Sequence, residues 1–163
     1  MVKWIFVDYE RCSGCRSCEI ECSYVHENTI WREVSRIRII EPLPGVIVPV
    51  VCVQCTEKYC MKSCPYNAIY LDSEEIVHVN PEKCTGCGVC IKACPGNVPV
   101  IHPERNYALI CDLCGGDPQC VKICNELGYN ALKLVESDDI SRDLYLKDVF
   151  EIAEEIKKSL YGI

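Results

Sequence analysis

The sequence predicts a small α+β fold made by duplication of one cysteine-rich unit. Three observations predict this class. All sixteen cysteines fall into four groups of four, two stretches of the chain repeat at constant offsets, and short β-prone runs alternate with the cysteine groups. Hydrophobic residues make up 49% of the 163 residues and charged residues 25%, a balance that excludes disorder as the main state.

Four cysteine motifs organise the chain. The first and third share the spacing C-x2-C-x2-C-x3-C, the second is C-x2-C-x4-C-x3-C, and the fourth is C-x2-C-x5-C-x3-C. In chain order the motifs contain Cys12, Cys15, Cys18 and Cys22; Cys52, Cys55, Cys60 and Cys64; Cys84, Cys87, Cys90 and Cys94; and Cys111, Cys114, Cys120 and Cys124. No cysteine is left over.

The motifs lie within an internal repeat. Val7–Cys15 aligns with Val79–Cys87 at an offset of 72 residues, and the alignment holds through Cys94. The stretch after the second motif, Tyr66–Leu71, aligns with Tyr129–Leu134 after the fourth motif. We infer a tandem duplication of a unit that contains two motifs.

The spacing of the motifs suits iron–sulfur clusters, because three thiolates on a tight loop can reach three corners of one cubane. Gly14, Gly86 and Gly88 allow that loop to curl. The fourth cysteine points away and ligates the other cluster of a pair, as in bacterial two-cluster ferredoxins. Four motifs therefore predict four [4Fe–4S] clusters. Structural zinc would need only paired C-x2-C dyads, and a disulfide framework explains neither the repeat nor the spacing.

The pairing of motifs decides which cysteines share a cluster. Cys64 and Cys94 are each followed by proline, and the β-prone stretches Ala68–Leu71 and Ile76–Val79 between them predict a hairpin. We therefore pair motif two with motif three, which leaves motif one with motif four in a nested arrangement. Local pairing of one with two and of three with four is the alternative. The nested ligand sets are set 1, Cys12, Cys15, Cys18 and Cys124; set 2, Cys22, Cys111, Cys114 and Cys120; set 3, Cys52, Cys55, Cys60 and Cys94; and set 4, Cys64, Cys84, Cys87 and Cys90.

The rest of the chain predicts short strands and one helix. Further strands are expected at Lys3–Val7, Ser35–Ile40, Val46–Val53 and Tyr107–Ile110. From residue 143 the apolar spacing becomes helical, with a stripe formed by Leu146, Val149, Phe150, Ala153, Ile156 and Leu160. We therefore divide the chain into residues 1–142, a four-cluster domain of two intertwined ferredoxin-like modules, and a C-terminal helix over residues 143–163. This helix either closes over the chain's own core or docks a partner subunit.

Several function classes are disfavoured. A net charge of −7 and a pI of about 5.0 argue against nucleic-acid binding, and no apolar run is long enough for a membrane span. The N-terminus lacks the features of an export signal, so we expect a cytoplasmic protein. No nucleophile–base motif, phosphate loop or dinucleotide fingerprint occurs, which predicts an electron carrier without catalytic residues. His26, His78 and His102 are expected not to be cluster ligands, because the cysteines suffice.

Over residues 1 to 136 the chain resembles the four-cluster ferredoxin-like subunits that serve molybdopterin and tungstopterin oxidoreductases, the dimethyl sulfoxide reductase small-subunit type. The resemblance rests on the four cysteine motifs. It implies a duplicated bacterial-ferredoxin-like fold, the nested ligand sets, and a larger catalytic subunit that carries tungstopterin or molybdopterin. The short chain favours the small subunit of a tungsten-dependent aldehyde oxidoreductase that exchanges electrons with a ferredoxin. The fourth motif departs from the pattern, with its x5 gap and no following proline.

Two alternatives remain open at this point. The chain could be a free polyferredoxin that diffuses between several enzymes. It could instead be the electron-transfer subunit of a formate dehydrogenase or hydrogenase complex. Both alternatives keep the four clusters and change the partner.

Overall fold

The computed structural model describes residues 2–137 and 140–162, without the side chains of residues 140 and 141. The strands are β1 Val2–Val7, β2 Arg38–Leu43, β3 Val46–Val50, β4 Ile69–Leu71, β5 Val77–Val79, β6 Val100–Ile101, β7 Ala108–Leu109 and β8 Leu132–Ser137. The helices are α1 Ser17–Glu27, α2 Tyr59–Lys62, α3 Val89–Ala93, α4 Gln119–Glu126 and α5 Val149–Tyr161, with 3-10 turns at Tyr9–Arg11, Arg32–Val34, Leu113–Gly116 and Ile140–Tyr145. This mixture of short elements agrees with the expected α+β class.

The strands form antiparallel pairs, and two of these pairs repeat each other. β1 pairs with β8 from the far end of the chain, with Val7 opposite Leu132. β4 pairs with its neighbour β5, with Ile69 opposite Val79. Val7 and Val79 are equivalent in the internal repeat, and so are Leu132 and Ile69. The duplication therefore reaches the strand register.

The same backbone hydrogen bond closes both of these strand pairs. The Asp8 amide donates to the Ala131 carbonyl at 2.8 Å, and the Asn80 amide donates to the Ala68 carbonyl at 2.7 Å. Asp8 corresponds to Asn80 and Ala131 to Ala68. Each bond lies where the chain enters or leaves a cysteine motif, so it fixes the start of one motif against the end of another.

Each of the first four helices begins one residue before the third cysteine of a motif. Three of them follow a residue in left-handed backbone, namely Arg16 (φ 63°), Lys58 (φ 48°) and Gly88 (φ 74°). The left-handed residue reverses the chain, so the cysteine loop and the first helical turn face one another. Helix α4 instead follows Pro118 and the 3-10 turn Leu113–Gly116. The additional residues of the fourth motif are accommodated in this segment.

The C-terminal helix packs on the β2–β3 hairpin. Ile152, Ala153 and Ile156 are buried in one core with Val48 and Val50 of β3. The apolar stripe predicted from the sequence was therefore wrong in part. Two members of that stripe, Phe150 and Leu160, are 60% and 51% exposed, and buried Ile152 was not among its members.

The bounds of several elements also differ from the expectation. The helix begins at Val149 and not at residue 143, because Asp148 and Glu151 form a capping box there. The Asp148 carboxylate accepts from the Phe150 amide at 2.9 Å, and the Glu151 carboxylate accepts from the Asp148 amide at 3.2 Å. The strands expected at 35–40, 46–53 and 107–110 occur at 38–43, 46–50 and 108–109. Within the described residues, no helix combines the length and apolar content needed to cross a bilayer.

Candidate metal centres

The structure brings together cysteines from different motifs. One cavity is lined by all four cysteines of set 1, a second by all four of set 3, and a third by all four of set 4. The walls of the set 1 cavity include Ile39, Pro49 and Leu132, so they are largely apolar. Every one of the sixteen cysteines is free of a disulfide.

The four cysteines of set 2 meet between the first and fourth motifs. The charges of Cys22 and Cys114 repel a thiolate at Cys120 and raise its pKa. The charges of Cys120 and Cys22 have the same effect on Cys111. Two further thiols border this set, because the charge of Cys18 raises the pKa of Cys120 and the charge of Cys52 raises the pKa of Cys111. Cys18 belongs to set 1 and Cys52 to set 3. Set 2 therefore lies between sets 1 and 3.

Set 4 adjoins set 3 at the other side. Cys60 of set 3 and Cys90 of set 4 lie in one buried core, and the charge of Cys90 acts on Cys60. The four sets thus form a series from 1 to 4. Two of the sixteen cysteines are exposed, Cys15 in set 1 and Cys87 in set 4. They are equivalent in the internal repeat and belong to opposite ends of the series.

Burial raises the pKa of eight of these thiols, those of Cys12, Cys18, Cys52, Cys60, Cys90, Cys94, Cys111 and Cys120. It raises the pKa of Cys18 and of Cys60 to about 12, and that of Cys90 to about 11. Neighbouring thiolates add to this effect, because each repels the next charge. A polynuclear cation removes both penalties, since it compensates four thiolates at once. Soft sulfur donors in apolar cavities fit iron–sulfur clusters.

Backbone amides point at several of these sulfur atoms. Such N–H···S contacts stabilise negative charge on sulfur and raise the reduction potential of an attached cluster. They join the amide of Arg36 to Cys22 at 3.2 Å, of Gln54 to Cys52 at 3.4 Å, of Ala68 to Cys64 at 3.4 Å, and of Ala108 to Cys84 at 3.3 Å.

His26 lies between two cysteines of set 2. Its Nδ1 is 3.8 Å from Cys22 Sγ and its Nε2 is 3.9 Å from Cys114 Sγ, while Nε2 also meets an Asp112 carboxylate oxygen at 3.0 Å. Burial opposes the charge on His26, but the hydrogen bonds to Asp112, Cys114 and Cys22 together outweigh burial and raise the pKa of His26 to about 12. Burial likewise opposes the charge on Asp112, but the bond to His26, the charge of His26 and the bond from the Cys114 amide together lower the pKa of Asp112 to about 2. Set 2 is therefore bordered by an ion pair.

Three functional side chains were not identified from the sequence. Gln54 is fully buried, donates from Nε2 to the Cys111 carbonyl at 2.8 Å, and accepts from the Val77 amide at 3.0 Å. It thereby links the cysteine loop of motif two to motif four. The other two, Lys58 and Arg38, approach set 3 from two sides. The burial of Gln54 and Lys58 could have been predicted from their position inside motif two, because a buried cysteine loop leaves little room for solvated side chains.

Comparison with known proteins identifies the family. The chain is 47% identical over 163 residues, 98% of its own length and 93% of the other chain, to the "aliphatic sulfonate oxidoreductase, polyferredoxin-like subunit" of Pyrococcus furiosus. The chain belongs to this family of polyferredoxin-like subunits. The expected resemblance to four-cluster ferredoxin-like subunits is confirmed at this level.

Two family models that describe 4Fe-4S binding match parts of this polyferredoxin-like subunit, and further relatives match about half of it. The "4Fe-4S dicluster domain" family matches residues 51–98, which contain motifs two and three, and the "4Fe-4S binding domain" family matches residues 9–25. A selenate reductase subunit of Mesobacillus selenatarsenatis is 37% identical over 53% of this chain and 32% of its own. Electron transport protein HydN of Escherichia coli K12 is 34% identical over 53% of each chain.

A solved structure shares the fold over nearly the whole chain. A chain of the "active site complex BamBC of Benzoyl Coenzyme A reductase in complex with Benzoyl-CoA" is 27% identical, with a TM-score of 0.51 over 98% of this chain and 91% of that one. Together the matches establish that this polyferredoxin-like subunit binds multiple [4Fe–4S] clusters. They also establish that it is an electron-transfer subunit of the kind found in oxidoreductase complexes.

Proposed function

We propose that the subunit relays single electrons through four [4Fe–4S] clusters in series, between a catalytic subunit that carries tungstopterin or molybdopterin and a ferredoxin-like partner. One observation carries this proposal. The four cysteine sets form a single series, and the two exposed cysteines, Cys15 and Cys87, belong to its opposite ends. A series with accessible ends and buried middle members suits conduction between two docking sites.

The sixteen thiolates hold the clusters in the nested sets. Set 1 would hold cluster 1, set 2 cluster 2, set 3 cluster 3 and set 4 cluster 4. Each cluster, when bound, accepts and releases one electron. The chain's own residues supply the spacing: the two equivalent strand pairs fix the motif ends, and the Gln54 side chain holds motif two against Cys111.

The catalytic partner is inferred by analogy. The names of the relatives place them in sulfonate and selenate oxidoreductases, and a formate dehydrogenase iron-sulfur subunit of Wolinella succinogenes is 29% identical over 51% of this chain. We favour an aldehyde oxidoreductase of the tungsten type as the partner. Residues 1–142 would form the four-cluster domain, and residues 143–163, which contain helix α5, a C-terminal segment that covers it. Sixteen free cysteines fit the reducing cytoplasm.

Anaerobic purification from the native source tests the partner class. We expect about sixteen iron atoms per chain, since four clusters carry four irons each, and near-stoichiometric tungsten or molybdenum in a larger co-eluting subunit. Co-eluting nickel would indicate a hydrogenase partner instead. The same iron content without any partner would favour a diffusing carrier, and zinc in place of iron would overturn the cluster assignment.

Substitution at the two ends tests the series itself. Cys15→Ser and Cys87→Ser should each stop electron transfer from the catalytic subunit to the acceptor while the complex stays assembled. Glu10→Gln and Glu82→Gln are the matched controls, because these exposed residues are repeat equivalents just before the same two motifs and are not cysteine ligands. Transfer that survives in either cysteine variant would contradict a path that uses both ends.

A further inference from the structure

Lys58 is a buried cation at set 3. It is 7% exposed, and its Nζ donates to the carbonyl of Gln54 at 3.2 Å and to that of Glu75 at 2.9 Å. Gln54 lies in the loop between Cys52 and Cys55, so the ammonium group sits against the backbone that carries two cysteines of set 3. Among residues 2–137 and 140–162, no carboxylate lies within 4.0 Å of this ammonium group.

Arg38 approaches the same set from the other side. Its Nη2 donates to the carbonyls of Asn97 and Val98 at 2.9 and 3.1 Å, shortly after Cys94 in the chain. Cys94 is the group whose charge attracts Arg38 most, ahead of Glu19. In the part of the chain that the structure describes, Arg38 forms no ion pair. Both cations are therefore bonded to neutral carbonyl groups near set 3.

Cations near sets 1 and 2 are neutralised. At set 2, His26 meets the carboxylate of Asp112 at 3.0 Å. At set 1, Arg16 meets the buried carboxylate of Glu19 at 3.3 Å. In each case the positive charge is matched by an adjacent negative charge, so its effect at a distance is small. In the described part of the chain, no carboxylate within 4.0 Å neutralises Lys58 or Arg38 in this way.

Charge of this kind acts on electron affinity. A cluster with four thiolates carries a charge of about −2 when oxidised and about −3 after it accepts one electron from a donor. A nearby cation stabilises the more negative form more strongly, and this difference is greatest where water is excluded. Reduction is therefore favoured at the cluster that faces uncompensated cations.

We propose that Lys58 and Arg38 make the cluster held by Cys52, Cys55, Cys60 and Cys94 the most readily reduced of the four. The resting position of an electron in this chain is then an interior cluster, and not either of the end clusters that Cys15 and Cys87 would ligate. This inference rests on the proposed function, because it uses the assignment of set 3 as one ligand set.

Redox titration of the anaerobic holoprotein, followed by electron paramagnetic resonance, tests the inference. The signal of cluster 3 is identified first, as the one removed or altered by Cys94→Ser, and it should be the signal that appears at the highest potential. In Lys58→Met, the ratio of reduced to oxidised cluster 3 at a fixed potential should fall about tenfold, a shift of about 59 mV for a one-electron couple. Arg38→Met should shift the same signal in the same direction.

Lys62→Met is the matched control. Lys62 is the last residue of helix α2, which begins directly after Lys58, but its side chain is 60% exposed and paired with Glu57. It should leave all four potentials nearly unchanged, and Lys58→Arg should restore the potential of cluster 3. If Lys58→Met loses iron, Arg38→Met gives the test from a different element.

The outcomes separate this inference from the proposed function. Full iron content with a cluster 3 potential that moves no further in Lys58→Met and Arg38→Met than in Lys62→Met would overturn the inference alone. The same holds if the highest-potential signal survives unchanged in Cys94→Ser. A native chain with fewer than four clusters would overturn the proposed function.

Discussion

Arg16 and Gly88 occupy the same position in the two repeats, and both take left-handed backbone, with φ of 63° and 74°. Left-handed backbone costs a non-glycine residue about 1 kcal/mol. Arg16 is compensated because its guanidinium group donates to the Ile39 carbonyl at 2.9 Å and pairs with Glu19. The reversal before the helix is thus a requirement of the cysteine loop, and each repeat meets it with a different residue.

The neighbouring glycine position predicts a large local effect. A Cβ atom at Gly86, where φ is 67°, would lie 2.6 Å from the Asn106 carbonyl oxygen, a backbone atom that cannot move aside freely. We expect Gly86→Ala to destabilise the holoprotein by about 3 kcal/mol, from backbone strain together with overpacking. The measurement is the denaturant midpoint under anaerobic conditions, read from cluster absorbance.

Gly45→Ala is the control for that effect. Gly45 also has a left-handed φ, 77°, but a Cβ atom there would meet nothing within 4 Å. It should cost only the strain, about 1 kcal/mol. Equal midpoints for the two variants would show that the contact with Asn106 is unimportant.

Glu19 is a buried carboxylate that holds three groups. It accepts from the Ile39 amide at 2.8 Å and pairs with Arg32 at 2.8 Å and with Arg16 at 3.3 Å. Glu19→Ala leaves an amide and two guanidinium groups without this partner, so we expect a loss of about 3 kcal/mol in the free energy of unfolding. Exposed Glu33→Ala should change it by less than about 0.5 kcal/mol. Similar losses in both variants would argue against the buried network.

The two faces of helix α5 should respond differently to truncation. Ile156 is 7% exposed and packs on β3, so Ile156→Ala should cost about 3 kcal/mol and speed proteolysis of the C-terminus. Phe150 is 60% exposed, so Phe150→Ala should leave the stability of the isolated chain nearly unchanged. If instead Phe150→Ala weakens co-purification with the catalytic subunit, this exposed face docks the partner.

Cluster assembly should release protons. Because burial raises the pKa of Cys18 and of Cys60 to about 12, these thiols stay protonated below that pH and must lose a proton to bind iron. Raising the pH from about 7 to about 8.5 lowers the free energy needed to deprotonate these thiols and therefore strengthens cluster binding. Anaerobic titration of the apoprotein with iron and sulfide, with a pH indicator, measures both effects. Proton release that matches a cysteine-alkylated control would contradict this prediction.

The four cysteine motifs and the β4–β5 hairpin were accessible from the sequence because they depend on local spacing and on short β-prone runs. The pairing of β1 with β8 was not predicted, although β1 is equivalent to β5 at an offset of 72 residues and β8 to β4 at an offset of 63. The orientation of helix α5 was not accessible, because an apolar stripe does not state which part of it meets β3. The burial of Gln54 and Lys58 was missed for a similar reason, since their partners, among them Val77 and Glu75, are distant in sequence.

The pairing of β1 with β8 also sets an order of events during synthesis. A growing chain emerges with β1 first, and this strand has no partner until β8, which begins at Leu132, has followed it. β4 and β5 emerge together, and all cysteines of sets 3 and 4 have been translated once Cys94 is added. The part of the molecule that contains sets 3 and 4 can therefore fold and bind its metal during translation. The part that contains sets 1 and 2 can do so only after nearly the whole chain has been synthesised.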